Sequence, residues 1–146
     1  MHEKSVELVN RAVAAINETY STGDMGPFRR HLEETFEPDV VLAAPGGAFL
    51  EGEWRGHDGA VGFVANQMEV LEDMWLRVDE ILLGEPDALV VAVAFGGRAR
   101  YSGLEVELHP FHEFRLRDGK VTRWQIFFER EQALAAARAA RGQSDE

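Results

Sequence analysis

Residues 104–116, Leu-Glu-Val-Glu-Leu-His-Pro-Phe-His-Glu-Phe-Arg-Leu, alternate with a period of two. Successive side chains of a strand point to opposite faces, so the pattern commits this segment to a half-buried β-strand. The even positions carry Leu104, Val106, Leu108, Pro110, His112, Phe114 and Leu116. The odd positions carry Glu105, Glu107, His109, Phe111, Glu113 and Arg115. One face is therefore apolar apart from a single imidazole, His112. A titratable ring on an apolar wall is what a ligand pocket needs, which makes His112 the first candidate for chemistry. His109 falls on the other face, so the two rings cannot share a metal unless Pro110 introduces a bulge. No metal site is expected.

The other segments organise around this strand. Leu89–Arg100 is apolar on both faces over Leu89–Ala94, which predicts a central strand. Trp75–Leu83 reads as a strand closed by Gly84-Glu-Pro-Asp87. Val121–Arg130 follows Asp118-Gly119, a strong two-residue hairpin signal. Val40–Ala44 and Phe49–Trp54 are short strands on either side of a turn at Pro45-Gly-Gly47. Helical spacing appears over residues 3–21, through Val6, Val9, Val13, Ile16 and Tyr20. It recurs over Pro27–Phe36, through Phe28, Leu32 and Phe36, and over Asp58–Leu71, with Asp58 as N-cap and Val61, Val64, Met68 and Leu71 inward. Glu131–Arg141 is a short Ala-rich helix and Gly142–Glu146 a frayed tail. Helices first and long antiparallel strands later predict an α+β fold, one domain over 1–141, with helices on one face of a curved sheet.

Charge and composition remove several function classes. A net charge of −11 opposes binding to a phosphate backbone or an anionic membrane surface. The chain has no cysteine, which excludes disulfides, thiolate nucleophiles and Cys-based zinc sites. No apolar run approaches the roughly 18–20 residues that span a bilayer, and the N-terminus lacks a signal-peptide pattern. A cytoplasmic location is expected, with no nucleic-acid or membrane partner.

Several segments together carry a family resemblance. They are Val13-Ala-Ala-Ile-Asn17 with Gly23-Asp24, Phe36-Glu-Pro-Asp-Val40, Ala44-Pro-Gly-Gly47, Gly56-His-Asp-Gly59, Gly103-Leu-Glu-Val-Glu107, Leu116-Arg-Asp-Gly-Lys-Val121 and Arg130-Glu-Gln-Ala-Leu134. In this order and spacing the chain resembles the SnoaL-like group of the nuclear transport factor 2-like superfamily over about residues 6–135. The resemblance implies a cone-shaped curved antiparallel sheet, three N-terminal helices on its concave face, a deep apolar pocket and a homodimer formed through the sheet. It also implies polyketide cyclases, ketosteroid isomerases, epoxide hydrolases and non-catalytic binding modules as relatives, so the fold does not settle the function. The ketosteroid isomerase base position falls on Ala44, its first-helix tyrosine on Ala12 and its second oxyanion donor on His112. With two of the three positions alanine, that mechanism is not expected here.

The leading expectation is a cofactor-independent cyclase or isomerase that acts by proton transfer on an apolar ring-containing or polyketide-like substrate. His112 would be the acid/base or the hydrogen-bond donor to an enolate, assisted by Arg98 or Arg100 at the pocket mouth. Even parity puts Ala92 and Ala94 on the pocket side of the central strand, where small side chains leave room. Phe114, Trp124, Ile126 and Phe128 would continue the wall, and Trp54, Met68 and Trp75 would add apolar surface. His57 reads as loop and capping chemistry, and His2 and His31 as surface residues. The alternatives are a non-catalytic ligand-binding or dimeric interaction module and, third, an epoxide hydrolase with buried carboxylates near Arg98.

Overall fold

The computed structural model describes residues 3–44 and 52–144. Within them the chain runs α1 (Glu3–Thr22), α2 (Gly26–Thr35), β1 (Phe36–Ala44), β2 (Gly52–Arg55), α3 (Gly56–Val70), β3 (Leu71–Gly84), β4 (Ala88–Ala99), β5 (Glu105–Leu108), β6 (Phe111–Arg117), β7 (Lys120–Phe127) and α4 (Arg130–Ser144). His2, the turn expected at Pro45-Gly-Gly47, the first residues of the strand expected over Phe49–Trp54 and the end of the tail lie outside the described residues. The strand order is β2-β1-β7-β6-β4-β3, with β5 also on β4. β4, expected to be central, is an interior strand one place from the edge, with β3 on one side and β5 and β6 on the other. One pairing, β1 with β7, is parallel, so the sheet is mixed rather than wholly antiparallel. A parallel pair needs a long connection, and everything from β2 to β6 lies between these two strands.

The alternating segment is broken into β5 and β6 at His109-Pro110, because proline has no N–H to give the ladder. The break leaves the faces intact. Phe95 pairs with Leu108 on one side of it and Ala92 with Phe111 on the other, in one continuous register. The Pro110 carbonyl still accepts from Val93 N–H at 3.1 Å. There is no bulge, and His109 and His112 stay on opposite faces. Asp118 and Gly119 both take positive φ, 53° and 80°, as a tight β6–β7 hairpin demands.

Helix boundaries differ from expectation in several places: Leu71 opens β3 instead of closing α3, and α4 runs on to Ser144, through the start of the segment expected to fray. Phe36 opens β1 instead of closing α2. α3 starts at Gly56 with Arg55 as N-cap, and Asp58 sits in its first turn and pairs with Arg29 at 2.8 Å. Side chains of α1, α2 and α3 join β1 and β7 in the largest buried cluster, around Leu32, Leu42, Phe63 and Trp124. α4 takes the other face, where Ala133 and Ala137 are fully buried against Val90. β3 is the sheet edge over α1, and an edge strand leaves backbone groups unpaired. Asn17 of α1 satisfies them at Leu76. Its Nδ2–H donates to the Leu76 carbonyl at 2.8 Å, and its Oδ1 accepts from Leu76 N–H at 2.9 Å.

Candidate functional site

Between the helices and the inner sheet face lies a cavity of about 120 Å³. Its strand walls are Leu89, Val91, Val93 and Phe95 of β4, Leu108 of β5, and Pro110, His112 and Phe114 around β6. Trp124, Ile126 and Phe128 continue the wall on and just beyond β7. α1 closes it with Leu8, Val9, Val13, Ile16 and Tyr20, α2 with Phe28 and His31, and α3 with Phe63, Val64 and Gln67.

The expected site residues divide cleanly. His112, Phe114, Trp124, Ile126 and Phe128 line the cavity. Ala92 and Ala94 do not. The β4–β6 register sets Val91 opposite His112 and Val90 opposite Glu113, so odd positions of β4 face inward and even positions face away. Arg98 and Arg100 are also outside it. Both are exposed, Arg98 within 3.6 Å of Asp73 and Arg100 within 3.4 Å of Glu72. Trp54 packs edge-on to Phe63 at an interplanar angle of 67°, and Met68 belongs to the surrounding core. Trp75 lies on the outer face, under the Arg77 guanidinium at 5.4 Å. A Cβ on Gly96 would stand 2.7 Å from the Trp75 ring and 2.6 Å from the Val106 carbonyl oxygen. The space beside Gly96 is therefore filled by tryptophan.

His112 is held by its cross-strand neighbours. β6 and β7 pair Phe114 with Trp124 and His112 with Ile126, which sets Trp124 diagonal to the imidazole. Trp124 Nε1–H donates to His112 Nδ1 at 2.9 Å. The indole lies 5.6 Å from both the His112 and Phe114 ring centres, stacked on Phe114. Burial pushes the imidazole down to about 4, so it is neutral at physiological pH. An indole nitrogen can only donate, so Nδ1 must offer its lone pair. The neutral ring then carries its proton on Nε2, which has no protein partner among the described residues.

Three more polar side chains line the same cavity. His31 is buried, not at the surface, and burial with help from Arg11, opposed by Glu34, pushes it down to about 4. The Thr35 hydroxyl donates to the His31 carbonyl at 2.6 Å, which leaves its oxygen to accept from His31 Nε2–H at 3.4 Å. Burial pushes the Tyr20 phenol up, so it stays protonated. Gln67 adds an amide. The spacing contained these three. Tyr20 lies on the α1 stripe, His31 follows Phe28 by one turn, and Gln67 follows Phe63 and Val64 by one turn. No Asp, Glu, Lys or Arg is among the described residues that line the cavity. No group of three or more potential metal-ligating side chains occurs among the described residues. His57 is structural, within 3.0 Å of the Phe36 carbonyl.

A curved mixed sheet enclosing an apolar cavity under three helices defines a small-ligand-binding fold of the nuclear transport factor 2-like type. The chain belongs to the SnoaL-like domain family, whose model matches residues 11–124. That family comprises small-molecule proteins of the cyclase and isomerase type. Solved structures agree on the fold. TerC, co-crystallised with polyporic acid, is 25% identical with a TM-score of 0.68, covering 91% of this chain and 96% of that one. A protein described as a SnoaL-like polyketide cyclase, from Jannaschia sp. CCS1, is 21% identical with a TM-score of 0.69, covering 92% and 90%. A protein with a ketosteroid isomerase-like fold from Catenulispora acidiphila DSM 44928, in complex with trimethylamine, is 16% identical with a TM-score of 0.68, covering 90% and 92%. The chain is also 30% identical over 124 residues to the single-stranded-DNA-specific exonuclease RecJ of Salmonella typhimurium, of whose length it spans 19%. No helix among the described residues is long and apolar enough to cross a membrane.

Proposed function

We propose that the protein is a SnoaL-like enzyme of the cyclase or isomerase type that takes a small, neutral, ring-containing carbonyl compound into the cavity. The observation that carries this reading is the His112 imidazole, which stands in an apolar cavity with its Nε2 unpaired by protein among the described residues. A cavity near 120 Å³ suits a ligand of one or two rings, since a void of comparable size holds benzene. Charge that builds on a carbonyl oxygen during enolisation or aldol-type ring closure would be stabilised by a donor already in place, while the α-hydrogen would leave as a proton to the unprotonated Nδ1 of His31, the second neutral imidazole lining the cavity. The apolar wall strengthens that interaction.

A non-catalytic binding module is the second reading, favoured by the absence of a carboxylate base among the described lining residues. The epoxide hydrolase reading loses support, because Asp73, the partner of Arg98, stands in solvent. A net charge of −11 argues against extending the RecJ likeness to nucleic-acid chemistry. The homodimer that the resemblance implies would form through the sheet.

Acetophenone in D2O separates the two readings. An enzyme of this type exchanges the methyl hydrogens of the ketone for deuterium faster than buffer does, and His112→Ala slows that exchange at least about tenfold. Saturable binding without accelerated exchange would instead make the protein a binding module.

A further inference from the structure

We infer that Trp124 is a positioning residue that holds His112 as the Nε2–H tautomer, so that the cavity selects neutral ligands carrying a hydrogen-bond acceptor over hydrocarbons of the same shape. This rests on the cavity being the ligand site, and deepens that reading by naming what the site recognises.

An imidazole on an apolar wall can in principle give or take a hydrogen bond, so its ligand preference is open until its tautomer is set. The indole of Trp124 sets it. Its N–H points at His112 Nδ1 across 2.9 Å and can only donate. The indole is itself confined by rings on three sides: Phe114 stacks on it at 5.6 Å, and Phe36 and Phe63 meet it edge-on at 6.0 and 6.5 Å. These contacts oppose its rotation away from Nδ1. The ring then has one polar position to offer a ligand, Nε2–H, and that position is a donor.

Two further features narrow the ligand class. The described lining residues include no Asp, Glu, Lys or Arg, so a charged ligand would lose its hydration without gaining a counter-charge. Tyr20, protonated and lining the same cavity, offers another O–H. A neutral carbonyl is the chemistry that meets these requirements. An isosteric hydrocarbon seated in the cavity would cover the Nε2–H without pairing it, and a donor so covered is costly.

The test compares acetophenone with α-methylstyrene, in which a CH2 group replaces the carbonyl oxygen with little change of shape. Isothermal titration should give acetophenone a preference of about threefold to tenfold in the unmodified protein. His112→Leu should abolish the preference while α-methylstyrene still binds. His112→Gln, which restores an N–H, should recover part of it. Trp124→Phe should cut it to under about twofold, and long-range 1H–15N spectra of that variant should reveal the Nδ1–H tautomer that the unmodified protein lacks. Equal affinity for the two probes in the unmodified protein would overturn the inference and leave the cavity reading standing. So would a Trp124→Phe protein that keeps both the full preference and the pure Nε2–H tautomer. If neither probe binds, the cavity reading itself fails and the inference fails with it.

Discussion

At the scale of single side chains, neutrality is the common property of the ionisable groups inside the cavity. His112 and His31 are both pushed down to about 4 in the folded protein from an ordinary value of 6.5. In the unfolded chain both rings take up a proton near pH 6.5, while the folded protein resists protonation until about pH 4. Acidification through that window therefore favours the unfolded chain, and stability lost there returns as pH rises. Each ring accounts for roughly 3 kcal/mol of the loss once pH 4 is reached. Urea unfolding at steps from pH 7.5 to 4.0 should show the decline, and His112→Gln should flatten its slope.

Glu113 carries the opposite sign. It is fully buried on the outer face, where burial pushes its carboxyl up against the opposing pull of Arg115 and Arg123. Arg115 Nη2–H donates to Glu113 Oε1 at 3.4 Å, while Oε2 has no hydrogen bond. Ionisation is harder in the folded protein than in the unfolded chain, so this group loses stability as pH rises past its ordinary carboxylate range. Glu113→Gln should be neutral to about 1 kcal/mol more stable at pH 8 and gain less at pH 5. Melting curves at the two pH values decide it, and a larger gain at pH 5 would reverse the assignment. His112 was legible in the sequence because one side of its strand is polar. Ala92 and Ala94 were misplaced because β4 is apolar on both faces, where alternation carries no information about which face looks inward. His31 was misread because its polarity was weighed above its helical spacing.

Among elements, the edge of β3 is the exposed weakness, and Asn17 covers it. Asn17→Ala removes both hydrogen bonds to Leu76 and leaves those backbone groups part-buried and unpaired. The expected cost is about 1–3 kcal/mol, with faster hydrogen exchange at the Leu76 amide than at its neighbours on β4. A second element-scale prediction concerns Gly96. Gly96→Ala would press a methyl into the Val106 carbonyl and the Trp75 ring, and should cost on the order of 1–3 kcal/mol in chemical denaturation. A neutral substitution there would mean that β3 can draw away from β4 without penalty. The hairpin at Asp118-Gly119 was legible because its turn chemistry is local. The opening of β1 at Phe36 was not, since an aromatic residue there also satisfies the stripe of the helix before it.

At the scale of the whole molecule, the two faces of the sheet are packed differently. The inner face, under α1, α2 and α3, holds the cavity, and the outer face is partly sealed by α4 through Ala133 and Ala137. Local patterning identified α4 as a helix, but its choice of face depends on how the chain turns after β7, and no local signal encodes that. The proposed function places its ligand on the inner side alone. Isotope-filtered NOE spectra of the protein saturated with acetophenone test this most directly. Cross-peaks are expected from the ring protons of the probe to the methyl groups of Val91, Leu108 and Ile126. Cross-peaks confined to solvent-facing apolar residues such as Tyr101 and Leu104, with none to the inner wall, would contradict it.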